Sequence, residues 1–271
     1  VNVPAPRADG RWGGTLTKRP LPDSILEIEE LSLEMRTTLA RIWFTQAATE
    51  ARVAHSFEIV HRSLVSLGAD RGLIATSERA IDDEHRHTGL CLDMAQRYTN
   101  RRDLPPVPEL PFAHPQHPEA MSDAERNMLF VLGQCAFNET FACAYLSLGR
   151  DAAESPLARA AISELLSDEI DHARIGWAYL EIAPKALKDR LPDWLHALAV
   201  ANLGEWRALE LNRDKNLAYF GVPDAEAIEE ALVSALTEVI VPGFARAGVS
   251  SKALDAWASA GAPRIRSDAR P

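Results

Sequence analysis

Apolar positions recur at helical spacing along most of the chain, and no stretch alternates with the two-residue period of a strand. From Ser24 to Leu67 there is no proline or glycine, and Ala, Leu, Glu and Arg dominate. These are strong helix formers. Ser24 with Glu27 has the form of a capping box. The stretch is long for one helix, so a break is expected near residues 32–38. Gly68 and Gly72 bracket a turn, and a second helix is expected over 72–98. Six prolines between Pro105 and Pro118 exclude helix there. Ser122 and Glu125 open a third helix, expected to stop at Gly149. Ser155 before Pro156 caps a fourth, running to about Ile182. Shorter helices are expected near 192–216, 224–240 and 251–260. The fold class is all-α.

The connections carry topology. The first and second helices are joined by a short turn, as are the third and fourth, so each pair forms an antiparallel hairpin. The segment 99–121 spans 23 residues, enough to reach roughly 75 Å at ~3.3 Å per residue. A helix of 27 residues is about 40 Å long, so the segment can return along a whole hairpin. The chain divides into an extended arm (1–23), two hairpins joined by this crossover (24–183), and a helical extension (184–262).

Composition narrows the function classes. The 271 residues are 46% hydrophobic and 25% charged, which excludes a disordered or collagen-like chain. No apolar run approaches the length of a membrane span, and the first residues lack the apolar core of a secretory signal. The net charge of −10 argues against nucleic acid and against an anionic membrane surface as partners. Cys91, Cys135 and Cys143 form no CxxC pair. They read as reduced thiols in a cytoplasmic protein.

Two segments match each other: Asp83-Glu84-His85-Arg86-His87 and Asp168-Glu169-Ile170-Asp171-His172. Each reads D-E-x-x-H, and on a helix Glu and His at i, i+3 share a face. Glu50 lies 34 residues before Glu84, and Glu139 lies 30 before Glu169. Each hairpin therefore offers one lone Glu and one E-x-x-H. Small and apolar residues surround these acids: Cys135, Ala136, Ala142 and Cys143 around Glu139, and Leu165, Leu166, Ala173 and Gly176 around Glu169. A buried charge is costly unless it is paired or binds metal. Four carboxylates and two neutral imidazoles balance two divalent cations. On the first helix Glu50 has Gln46, Ala47, Val53, Ala54 and Phe57 on its face, whereas Glu58 has His55, His61 and Arg62. Glu50 is the better candidate. His55, His61 and His85 read as surface or rim residues.

The order E, ExxH, E, ExxH over about residues 38–182 resembles the ferritin-like di-iron carboxylate superfamily. The resemblance implies a four-helix bundle of two hairpins with a long crossover. It implies that Glu50, Glu84, His87, Glu139, Glu169 and His172 hold two metal ions, iron or manganese rather than zinc or copper. Asp83 and Asp168 then take the place of acids that hydrogen-bond the far nitrogen of a ligand histidine. Cys91 falls where ribonucleotide reductase small subunits carry a radical tyrosine, and Gly176 falls at the equivalent place after His172, which speaks against a tyrosyl-radical protein. The implied activity is O2-dependent oxidation of a small organic substrate, by hydroxylation, desaturation or N-oxygenation, with an external electron donor. The alternative is a ferritin-like protein that binds or oxidises iron without an organic substrate. Ala47, Ala54, Ala142 and Ala173 leave room for a cavity near the acids. Trp194, Trp206, Trp257, Tyr219 and Phe220 in the extension are expected to cover the bundle or bury a homodimer face.

Overall fold

The computed structural model describes residues 16–101, 103–110, 117, 119–208 and 215–262. Among these every regular element is helical, and no strand occurs. A short helix α1 (Ile25–Glu29) precedes four long rods. The first two are α2 (Leu33–Ser66) and α3 (Arg71–Thr99). The third is composite: α4 (Asp123–Val131), a π-helical segment Leu132–Asn138, and α5 (Glu139–Ala152). The fourth is α6 (Pro156–Ile182). Residues 1–15 of the expected arm, and residues 102, 111–116 and 118 of the expected crossover, lie outside the described residues.

Local chemistry explains the boundaries, with two corrections. The first stretch breaks just ahead of Leu33, where Ser32 accepts the Met35 N–H at 3.1 Å. The Ser24–Glu27 capping box does not form; Asp23 accepts the Ile25 N–H at 3.2 Å instead. Ser122 caps α4 as expected, accepting the Glu125 N–H at 3.1 Å. Gly149 does not end the third rod, which continues to Ala152. Gly149 serves close approach: a Cβ there would sit 2.7 Å from the Gly221 carbonyl oxygen.

Cross-contacts fix the directions. Glu50 faces His87 and His61 faces Ser77, so α2 and α3 are antiparallel. Gly176 abuts Cys135 and Gly149 abuts Ile162, so the third rod and α6 are antiparallel. His87 meets Asp168 while Asp83 approaches His172, so α3 and α6 are antiparallel as well. The third rod therefore runs parallel to α3. The chain must travel back along the molecule between Thr99 and Asp123, which is the work of the proline-rich segment.

The remaining helices are α7 (Lys185–Lys188), α8 (Pro192–Ala208), α9 (Ala225–Ser234), α10 (Val241–Arg246) and α11 (Lys252–Ser259), with a 3-10 turn Lys215–Phe220 and a second π segment Ala235–Ile240. Of the helix expected over 192–216, α8 covers 192–208, residues 209–214 lie outside the described residues, and 215–216 begin the 3-10 turn. These helices share one core with the rods, in which Phe57, Phe137 and Phe141 join Leu195, Leu232 and Phe244. Burying each such side chain stabilises by roughly 1.5–3 kcal/mol. Glu125, only 2% exposed, ties the parts together. It accepts the Met121 N–H at 2.6 Å, Arg190 Nε at 3.0 Å and Trp194 Nε1 at 3.0 Å. Among the described residues no helix is long and apolar enough to cross a membrane.

Candidate metal centre

Each rod carries acids or histidines to one buried level. Glu50 comes from α2, Glu84 and His87 from α3, Glu139 from the junction of the π segment with α5, and Glu169 and His172 from α6. None of the six is more than 4% exposed. Their ligand-type atoms fall in two overlapping groups, Glu50–Glu84–His87–Glu169 and Glu139–Glu169–His172, with the atoms of each group within 4.8 Å of one another.

The two ExxH motifs interlock. Nδ1 of His87 is 3.5 Å from Glu84 Oε2 and 3.2 Å from Glu169 Oε1. Nδ1 of His172 is 3.0 Å from Glu84 Oε1 and 2.8 Å from Glu169 Oε2. Glu84 and Glu169 thus each turn one oxygen toward either histidine. Glu50 lies on the His87 side, with Oε2 4.0 Å from Nδ1. Glu139 completes the His172 side.

Several of these atoms lack the partner that burial demands. Both oxygens of Glu84 and Nδ1 of His87 are buried without a hydrogen bond. Such groups cost about 1–3 kcal/mol each when unsatisfied, and more when charged. Two divalent cations would satisfy them and neutralise the four carboxylates. The donor set fits that role: oxygen and imidazole only, as suits iron or manganese.

Without cations the charges redistribute as protons. Burial, then the Glu84 and Glu169 carboxylates, push Glu50 well above the usual carboxylate range. Burial, then Glu169 and Glu84, do the same to Glu139. Burial opposes the charged form of His87, but the carboxylates of Asp168, Glu169 and Glu84 around it outweigh burial and raise the imidazole well above its ordinary value. His172 is raised likewise, chiefly by Glu169 against the cost of burial. Glu169 is buried too, yet the two histidines hold it below the usual range.

The partners behind the histidines are crossed between helices. Asp168 of α6 lies 3.2 Å from Nε2 of His87 on α3. Asp83 of α3 lies 3.6 Å from Nε2 of His172 on α6, outside hydrogen-bond range. The acid preceding each motif thus faces the histidine of the other. Asp168 is also ion-paired with Arg86 and with Lys18. Arg86 donates to the Leu16 carbonyl at 3.0 Å, and the Lys18 N–H donates to Glu164 Oε2 at 2.6 Å. The end of the arm is therefore seated against the centre, a role its composition does not signal.

Each outer glutamate is held by an amide. Gln46 donates to Glu50 Oε1 at 2.6 Å, four residues away on α2. Gln134 donates to Glu139 Oε1 at 2.5 Å, five residues away. The second spacing works because the π segment places i and i+5 on one face. Gln46 is visible on the Glu50 face in sequence, but Gln134 is not, since its alignment requires the π register. Gly176 admits that segment: a Cβ there would lie 2.7 Å from the Ala136 nitrogen and 2.9 Å from Cys135 Cβ.

Other candidates fall outside the centre. Glu58 is 40% exposed and paired with His55 at 3.1 Å. His61 contacts Ser77 at 3.2 Å. All three cysteines are free, and burial raises each thiol. Glu50, Glu84 and Glu169 also act on Cys91, which places it beside the cluster. Tyr179 is raised to about 12 by burial alone. Burial, then Cys91 and Glu50, raise Tyr145.

A cavity of about 670 Å³ opens onto Glu50, Glu139 and Glu169. It lies between α2, α5 and the C-terminal helices, with Ala142, Tyr145 and Trp206 on its walls. Of the four alanines expected to make room, only Ala142 lines it; Ala47, Ala54 and Ala173 pack in the core. No protein-family model, curated protein or solved structure matches the chain.

Proposed function

We propose that this chain is a ferritin-like two-metal oxidoreductase that uses O2 to oxidise a small organic molecule. The observation that carries the reading is the doubled carboxylate–histidine cluster buried beside a substrate-sized cavity. A protein that only stores or oxidises iron has no need of a cavity of that size lined by Tyr145 and Trp206. Two irons, or manganese in one or both places, supply the redox chemistry of O2 reduction when bound, with electrons from an external donor.

The chain's own residues do the rest. Glu84 and Glu169 offer one oxygen to each half of the centre, so they hold the two halves at a fixed separation. Glu50 and Glu139 are the outer carboxylates, and both face the cavity. Gln46 and Gln134 donate to one oxygen of each, and the second oxygen of Glu50 is turned toward Nδ1 of His87. Asp168 fixes the ring of His87 and leaves its Nδ1 toward the cluster; such outer hydrogen bonds set tautomer and ring orientation. Phe57, whose ring centroid is 4.8 Å from that of His172, and the buried Cys91 and Cys135 exclude water. A low dielectric strengthens every charge interaction inside.

The test is anaerobic reconstitution with iron(II) followed by elemental analysis and O2 consumption. Two metals per chain are expected, with O2 uptake that accelerates when a suitable organic molecule is added. Less than one metal per chain would sink the two-metal reading. Two metals with O2 uptake indifferent to every added organic molecule would favour iron oxidation alone.

A further inference from the structure

The cavity carries more than its size. Along α2 its wall runs from Arg41 to Val53, about 18 Å at 1.5 Å per residue. Arg41, Arg52 and Arg207 bring three cations to it, and Glu205 is the one acid on the described wall apart from the cluster glutamates. Arg207 is committed elsewhere, with Nε 3.0 Å from both carboxylate oxygens of Glu229. Arg52 is half-buried, and its guanidinium enters no ion pair or hydrogen bond among the described residues. An arginine held at a pocket wall with its five donors uncommitted matches a planar carboxylate. The rest of the wall suits an apolar body. The Tyr145 and Trp206 rings pack at a tilt of 46° with centroids 5.5 Å apart, and an apolar recess among Leu165, Ile162 and Phe220 adjoins the cavity.

We infer that the cavity binds an organic acid with an apolar or aromatic body, its carboxylate on Arg52 and its body against Tyr145 and Trp206. This rests on the two-metal reading for the chemistry that follows, but not for binding itself. The electrostatics agree in sign. With two divalent cations the cluster is neutral, so its glutamates no longer repel an anion held at Arg52.

Calorimetric titration of metal-free and manganese(II)-loaded protein with three probes of one shape tests this: 3-phenylpropionate, 3-phenylpropanol and 3-phenylpropylamine. The acid is expected to bind once per chain, about ten-fold or more tighter than the alcohol, and the amine weakest. Arg52→Gln should remove that preference without weakening the alcohol, and Arg52→Lys should restore part of it. Equal affinities, preference for the amine, or a preference that survives Arg52→Gln would overturn the inference. The two failures are distinguishable. A protein that takes up no metal but still prefers the acid through Arg52 refutes the two-metal reading alone. One that takes up two metals but does not prefer the acid refutes this inference alone.

Discussion

Glu50 and Glu58 lie two turns apart on α2, yet one is buried in the cluster and the other shares the surface with His55 and Arg62. Glu50→Ala is therefore expected to lower bound metal to about one ion per chain or less, with Glu58→Ala unchanged, by elemental analysis of reconstituted protein. The cluster also sets a pH dependence with a definite sign. Glu50, Glu139, His87 and His172 have folded-state values above their ordinary ones. Each contributes stability below its unfolded value, near 4.5 for glutamate and 6.5 for histidine, and that contribution is lost as pH rises through the folded value. The metal-free protein should melt at a lower temperature at pH 8 than at pH 6. Bound metal requires these protons off, so the rise in melting temperature on adding manganese(II) should be larger at pH 8 than at pH 6. A smaller rise at pH 8 would contradict the assignment. The six cluster residues were legible in sequence because acids and imidazoles at helical spacing among small apolar neighbours must be paired or bind metal once that face is buried. Lys18 was not, because its partner Asp168 is 150 residues away and nothing local marks the contact.

Among the helices, the third rod departs most from sequence expectation. Its existence and start were legible from Ser122 and the apolar period beyond it. Its π segment was not, because no residue type marks a π turn, and without that turn Gln134 points away from Glu139. Gly149 reads as a stop signal in sequence but is a packing glycine in the structure, since propensity cannot distinguish the two. Gly176 on α6 gives the sharper test. In open surroundings Gly→Ala within a helix stabilises by about 1 kcal/mol. Here the added carbon would meet backbone of the π segment, and such overpacking costs about 1–3 kcal/mol. Gly176→Ala should thus lower the denaturation midpoint, and metal content should fall with it through Glu139. A higher midpoint would mean that the segment yields freely.

At the scale of the whole molecule, the parallel run of α3 and the third rod forces the long return between them, and Glu125 secures its far end to α8. Removing that carboxylate leaves the Met121 N–H, Arg190 and the Trp194 indole without their acceptor. Glu125→Ala is expected to cost about 2–3 kcal/mol in denaturant unfolding and to shift Trp194 emission to the red. An unchanged midpoint would show that the C-terminal helices hold the rods by apolar packing alone. The all-helical class and the order of the rods were legible from capping residues and proline placement. The attachment of the C-terminal helices was not, because it depends on which faces meet rather than on where helices begin.

The crossing of Asp83 and Asp168 between α3 and α6 has a consequence for motion. Each helix holds one member of both acid–histidine pairs, and Glu84 and Glu169 reach across as well. Neither helix can slide or fray at this level without uncoupling both halves of the centre at once. With metal bound, α3 and α6 should behave as one cooperative opening unit. Amide hydrogens over 84–91 and 168–176 should then exchange with a common, slowed rate on metal addition, while those of α11 stay as they were.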